Sequence, residues 1–353
     1  MTRSRGLGDV YKRQSLDRTV EQLMLRPWPM GAKFHVASGL ILLMLSSGLG
    51  GCLSNGSPDD SINLVEAPLA GPVDERECFE FDNKERCWLL HIPETATYEF
   101  CLSNSCPLLI DVHGRTSTAE HQYNLSDYPR ITDQHNAILV HPEGIDNRFN
   151  IGWCCGDEDD VGFILELIDK IIHDRRADVG RVYVTGWSNG CYMSNELASV
   201  ASHKVAAVAC MAGYTDEPLA TNYSAIPVME IHGLADQIVP YGSSFTTGVL
   251  LEETLEGDEG AIQNMYWWAD ANGCPGSVPD IETVEWDYTV KRFSGCTNGA
   301  DVVLVTMNYA QHNPYLNDYD GTDSPFYQAI LTGNPTGIDA SQMAWDFLSQ
   351  HSK

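Results

Sequence analysis

Val182-Tyr183-Val184-Thr185-Gly186-Trp187-Ser188-Asn189-Gly190 decides the reading of this chain: an apolar run, then a Gly-x-Ser-x-Gly pentapeptide, then a helix-compatible stretch from Cys191 to Ser199. Strand, sharp turn and helix in that order form the context of a nucleophile elbow. The flanking glycines remove Cβ atoms that would collide as the backbone reverses, which leaves the Ser188 hydroxyl exposed on a strained turn. Free N–H groups of the first helical turn then point to where an oxyanion forms, and the helix dipole favours negative charge there. A glycine-rich turn in an ordinary α/β protein matches the five residues alone. The strand before and the helix after single out the elbow.

Working outward, short apolar runs suited to buried strands occur at 87–92, 108–112, 137–140, 181–185, 205–210, 228–231 and 302–307. Helical periods lie between or after them, at 161–172 behind an acidic first turn, at 262–271 and at 341–349. Alternating strands and helices predict an α/β fold with a mostly parallel central sheet and helices on both faces. No internal repeat appears.

The 353 residues divide unevenly. Residues 1–29 hold six of the 21 Lys and Arg and show no apolar period, so they are set aside as an upstream extension. After Met30, a basic Lys33, the apolar stretch 36–45 and the small residues Ser46 to Gly51 have the layout of a signal peptide ending before Cys52. Leu49-Gly50-Gly51-Cys52 also resembles a bacterial lipobox, so lipidation at Cys52, with a membrane anchor, and simple cleavage both stay open. Residues 52–75, rich in Ser, Asn, Asp, Gly and Pro, are expected to form a tether, and 76–353 a single catalytic-size domain.

Setting aside 1–51 removes seven basic and three acidic residues and leaves 14 against 46, a net charge of −32. Such a surface repels nucleic acid and anionic membranes, and no obligate protein partner is inferred. Ten cysteines remain after Cys52, an even number suited to an oxidising export compartment. Local spacing suggests Cys78 with Cys87, Cys101 with Cys106 and Cys274 with Cys296, leaving Cys154 and Cys155 to reach Cys191 and Cys210. Neither a C-x-x-C pair nor a His-rich tract of zinc spacing occurs, so no metal site is expected.

An activated serine needs a base oriented by an acid, in the chain order Ser, Asp or Glu, His on this fold class. Asp236 lies just past the strand ending at Ile231, where residues at strand carboxyl ends face a crevice. His312 lies in the loop after 302–307 and is the expected base. Asp216 and Glu217 are the alternative acids; His351 is a rival base in the C-terminal tail, and His232 reads as a neutral histidine ending its strand. The oxyanion is expected to bind the Asn189 amide and that of Arg115 beyond Val112-His113-Gly114, with Thr116 as the alternative. Trp187, Trp153 and Tyr241 are candidates to line the substrate pocket.

Five blocks in register carry a resemblance over residues 76–350. They are Val112-His113-Gly114, Gly152-Trp153-Cys154-Cys155-Gly156 with Asp159 to Phe163, the elbow, His232-Gly233-x-x-Asp236-x-x-Val239-Pro240-Tyr241, and the strand leading to His312. In these the chain resembles the esterases that include poly(3-hydroxybutyrate) depolymerases, feruloyl esterases and acetylxylan esterases of carbohydrate-esterase family one. The resemblance implies an α/β-hydrolase fold, no cofactor, and Ser188, Asp236 and His312 as the triad. It departs at Cys191, at Arg115 and at Asn313, where relatives commonly have Gly, Cys and a block with Trp after the base. The expected function is an exported serine esterase on feruloyl or acetyl esters of polysaccharides. Polyester depolymerisation is the alternative, and a catalytically inactive ligand-binding surface lipoprotein is the alternative of another class.

Overall fold

The structure, a computed structural model, describes residues 73–215, 219–242, 260–316 and 333–353. The leader, the Cys52 lipidation candidate, most of the tether and the alternative acids Asp216 and Glu217 lie outside the described residues. Ten strands are described: β1 (Val73–Phe81), β2 (Lys84–Ile92), β3 (Cys106–Val112), β4 (Ile138–Pro142), β5 (Ala177–Gly186), β6 (Ala207–Met211), β7 (Val228–Gly233), β8 (Asp280–Val284), β9 (Tyr288–Phe293) and β10 (Val302–Met307). The helices among the described residues are α1 (Tyr98–Asn104), α2 (Ala119–Ser126), α3 (Tyr128–His135), α4 (Asp160–Arg175), α5 (Asn189–Val200), α6 (Ala261–Ala271) and α7 (Ala340–Leu348).

The strands make one sheet in the order β1-β2-β4-β3-β5-β6-β7-β10-β9-β8. Its centre, from β4 to β10, is parallel, and antiparallel pairs close both edges. The fold is an α/β hydrolase with a mixed sheet. Successive side chains of a strand face opposite sides, so each central strand feeds two cores. Leu108, Ile110, Val182 and Val184 pack with α4, α5 and α6, whereas Leu109 and Tyr183 pack with α3 and α7. Continuous apolar runs are what a strand buried on both faces requires, and each of the seven predicted runs overlaps a strand, with Ala137 and Val205-Ala206 falling just before theirs.

The edges differ from expectation. β1 begins at Val73, inside the segment 52–75 read as tether, and pairs with β2 through a turn at Asp82 and Asn83, both at positive φ. Its charged face hid it, since edge strands carry charge that blocks pairing with other chains. β8 was hidden the same way, with most of its side chains exposed.

Chain order reverses between neighbours β3 and β5: β4 adds on one side of β3, and β5 to β7 extend the other. The crevice at the carboxyl ends of strands flanking such a reversal is where α/β sheets bind ligands. His113-Gly114-Arg115 leaves β3 there, and Trp187-Ser188-Asn189 leaves β5.

Disulfides join Cys78 to Cys87 across the β1–β2 hairpin, Cys101 to Cys106 between α1 and β3, and Cys274 to Cys296. The expectation for the other four is corrected: Cys191 pairs with Cys210, and Cys154 with its neighbour Cys155. Cys191 is on the first turn of α5 and Cys210 on β6, both buried in the same core, whereas Cys154 and Cys155 belong to the loop before α4 and are only half-buried.

Candidate active site

Ser188 has φ 56° and ψ −120°, a left-handed conformation held by its neighbours. Its N–H donates to Met211 O on β6 (2.9 Å), and the first turn of α5 starts at once behind it. Close approach of backbone to backbone explains Gly190: a Cβ there would lie 2.0 Å from the Val112 carbonyl oxygen and 2.8 Å from that of His113. Helix α5 and the end of β3 are therefore in direct main-chain contact. Gly190→Ala is expected to destabilise the fold by about 1–3 kcal/mol, because backbone must move apart. A shift in denaturant midpoint checks it.

Asp236 and His312 come together. His312 Nδ1 lies 2.7 Å from Asp236 Oδ2, with both side chains buried. The other carboxylate oxygen accepts the N–H groups of Ile238 (2.8 Å) and Val239 (3.0 Å). Burial opposes ionisation of Asp236, but hydrogen bonds from His232 and His312 hold the carboxyl well below its usual range. An ionised carboxylate only accepts, so Nδ1 of His312 carries a proton and Nε2 keeps its lone pair as a base. The loop bearing His312 is pinned from the serine side: Trp187 Nε1 donates to His312 O (2.7 Å), and the two rings lie 5.3 Å apart.

Ser188 and His312 open on one cavity of about 530 Å³, with Gly114, Arg115, Asn189 and Trp187 also in its walls. The Asn189 amide begins α5, where a helix has no internal acceptor to offer. Thr116 N–H donates to Asn147 O (2.7 Å), so that alternative oxyanion donor is taken, while the Arg115 amide donates to none of the described residues. Gly114 packs against the elbow, a Cβ there lying 3.5 Å from Ser188 Cβ.

Two supports were not visible in the sequence. The Asn189 side chain clasps Phe149, accepting its N–H (2.8 Å) and donating to its O (3.0 Å). His113 accepts the Gly144 N–H at Nε2 (3.0 Å) and donates from Nδ1 to Gly114 O (2.8 Å). Burial pushes His113 down to about 4, so it is neutral, as that arrangement needs. Both contacts tie the segment after β4 to the end of β3 and the elbow across 31 to 40 residues, a separation no local pattern reveals.

Of the pocket candidates, Trp187 and Trp153 line the cavity. Tyr241 does not: it is wholly buried behind the acid loop, its hydroxyl 2.7 Å from Thr306 Oγ1. Its place is taken by Tyr192 and Tyr214, which the sequence did not single out, and by Ile238. The rival base His351 packs against Phe347 (4.8 Å), and its carbonyl accepts the Tyr183 hydroxyl; it is not in the cavity wall. His232 also departs from expectation. Its Nε2 meets Val239 O (2.9 Å) as a strand-end histidine would, but Nδ1 meets the buried Glu230 carboxylate at 2.7 Å.

No family model matches the chain. Feruloyl esterase B of Piromyces equi is 26% identical over 266 residues, which span 72% of this chain and 44% of that protein. Probable feruloyl esterase C of Aspergillus niger is 30% identical over 218 residues, 61% of this chain and 65% of that protein. The chain thus covers less than two thirds of the length of either relative. Among solved structures, the acetyl xylan esterase from Aspergillus awamori superposes with a TM-score of 0.50 at 15% identity, over 67% of this chain and 94% of that one, a likeness of fold.

Proposed function

The chain is a relative of the feruloyl and acetylxylan esterases with the fold of carboxylic-ester hydrolases, and from that kinship we propose that it is an exported serine esterase acting on feruloyl or acetyl esters of polysaccharides. The observation that supports this reading is the shared cavity, whose wall holds both Ser188 and an imidazole that a buried carboxylate holds at 2.7 Å, beside unengaged main-chain amides.

The chemistry follows from the groups present. His312 Nε2 takes the Ser188 proton as the oxygen attacks the ester carbonyl, while the Asn189 and Arg115 amides receive the developing oxyanion. Collapse breaks the ester C–O bond, and the imidazolium hands its proton to the departing alcohol. Water then repeats the sequence on the acyl-enzyme and releases the acid. Trp187 and Trp153 offer flat apolar walls to an aromatic acyl group, and Tyr214 and Tyr192 continue them. Five disulfides favour an oxidising compartment, and export from the cell supplies one. An anchor at Cys52 is the finer form of the same reading, tested by the mass of the N-terminal peptide.

Turnover of p-nitrophenyl acetate that a serine-reactive phosphonate abolishes, with label on Ser188, is the expected result. Absence of turnover in folded protein overturns the reading and leaves a ligand-binding hydrolase fold. A panel of methyl ferulate, acetylated xylan and polyester film is expected to rank the two polysaccharide-type esters first; a higher rate on the film reverses the substrate assignment.

A further inference from the structure

Behind the acid lies a second buried carboxylate that the acyl-transfer scheme does not use. Glu230, in the middle of β7, is 3% exposed, in a strand whose other side chains are also buried. A lone buried carboxylate is costly, so its partners matter. Oε2 accepts from the Asn264 amide of α6 (2.5 Å), and Oε1 lies 2.7 Å from His232 Nδ1. The opposite nitrogen of that ring faces Val239 O at 2.9 Å and Asp236 Oδ2 at 3.4 Å. A main-chain carbonyl can only accept, so Nε2 carries a hydrogen, and a carboxylate at Nδ1 calls for another. With both nitrogens protonated the ring is a cation. It is fully buried, stacked on Tyr214 (6.4 Å, 20°) and perpendicular to Tyr241 (5.6 Å, 90°), and therefore confined to one orientation.

We propose that His232 is a positioning residue for the reaction: a buried imidazolium, clasped by Glu230 on one side and by Asp236 and Val239 on the other, that keeps Asp236 ionised and in place for His312. The proposal rests on the reading of Asp236 and His312 as acid and base. Negative, positive and negative groups then follow one another from Glu230 through His232 to Asp236, whose carboxylate meets the neutral His312, and the arrangement spans β7, the acid loop and the loop after β10. Burial alone would discharge His232, yet hydrogen bonds to Asp236 and Glu230 raise its pKa to about 10. The groups facing it are Glu230 on its own strand, Asp236 in the loop beyond, Tyr214 after β6, Tyr241 past the acid loop, and across the sheet the neutral Thr306.

The charge makes two claims on measurement. A cation beside Asp236 opposes a second positive charge nearby, so its removal is expected to shift the pH dependence of turnover. In Glu230→Gln the amide still bonds Asn264 and His232, but the ring loses its counter-charge and becomes neutral; in His232→Gln the ring is gone and a donor to Val239 O remains. Both variants are expected to move the rising limb of the kcat/KM profile upward by about one pH unit. The clasp also contributes to stability fully below about pH 6.5, the ordinary histidine value, and less as pH rises toward 10. The difference in melting temperature between the wild-type protein and His232→Gln is therefore expected to shrink from pH 7 to pH 10.

The direct test is the ¹⁵N spectrum of the histidine-labelled full chain at pH 8, with His232 assigned by comparison with His232→Gln. Two protonated ring nitrogens are expected; one lone-pair nitrogen overturns the proposal. If His232→Gln fails to fold, Glu230→Gln supplies the assignment through its changed ring signals, and its pH profile still decides. A profile superimposable on the wild type in every folded variant overturns the positioning role. A separate failure is visible in Ser188→Ala: turnover retained there removes the serine mechanism while the nitrogen spectrum of His232 still reports on the clasp.

Discussion

Replacing Ser188 with alanine is expected to lower turnover of p-nitrophenyl acetate by roughly four to six orders of magnitude, with the melting temperature within about 2 °C of wild type. The expected loss is large because, in the proposed mechanism, the oxygen removed is the atom that forms the covalent intermediate. Stability is expected to hold because the strained turn is imposed from outside the residue, by the Met211 carbonyl and the contact of Gly190 with Val112. His312→Ala is expected to fall as far, since without the base the remaining amides act alone. Steady-state kinetics and thermal melts on the same preparations check both. Turnover within tenfold of wild type in either variant removes that residue from the mechanism.

Asp236→Asn is the second large effect, and its cause is specific to this acid loop. One carboxylate oxygen accepts the N–H groups of Ile238 and Val239. In the variant those two donors select the amide oxygen, which turns the NH₂ toward His312. His312 then accepts at Nδ1 and carries its hydrogen at Nε2, the wrong nitrogen to take a proton from serine. A fall in kcat of about 10⁴-fold is expected, with little change in KM. The same rotation sets an amide donor against the His232 N–H, so a stability loss of about 1–3 kcal/mol accompanies it. A kcat within tenfold of wild type sinks the orientation argument.

Residues that face two cores at once, or that turn a chain sharply, announced themselves in the sequence. Val182 to Val184 had to be apolar because both faces of β5 are covered, and Gly186 and Gly190 had to be glycine because main chain passes within contact distance. That is why the strand-elbow-helix unit and its position at the sheet rim were legible from one stretch. That Asp236 and His312 would meet was legible for a different reason: each follows a recognisable strand, and chain order limited the choice.

What stayed hidden was decided by distant pairing. The Cys191–Cys210 bond depends on how α5 lies across β6, which no spacing encodes, and β1 and β8 carry charges because their outer edges face water. Tyr241 and Tyr214 show the limit most clearly. Both are aromatic residues in loops after strands, yet one is sealed behind the acid and the other forms the cavity wall. Their fates follow from which side of His232 each ring lies on, a three-dimensional fact. His232 itself read as an ordinary strand-end histidine until Glu230, two residues earlier on the same strand, came into contact with its ring.

Trp187 answers to two masters. Its ring borders the space where a substrate would sit, and its indole nitrogen tethers the carbonyl of His312. Trimming this tryptophan to widen the cavity is therefore expected also to release the loop that carries His312, so that under the proposed mechanism breadth of substrate and speed trade against each other at position 187. Trp153 and Ile238, on the outer lip with more than half of each side chain in solvent, carry no such tie to the imidazole. A directed search for altered selectivity has its unencumbered targets there.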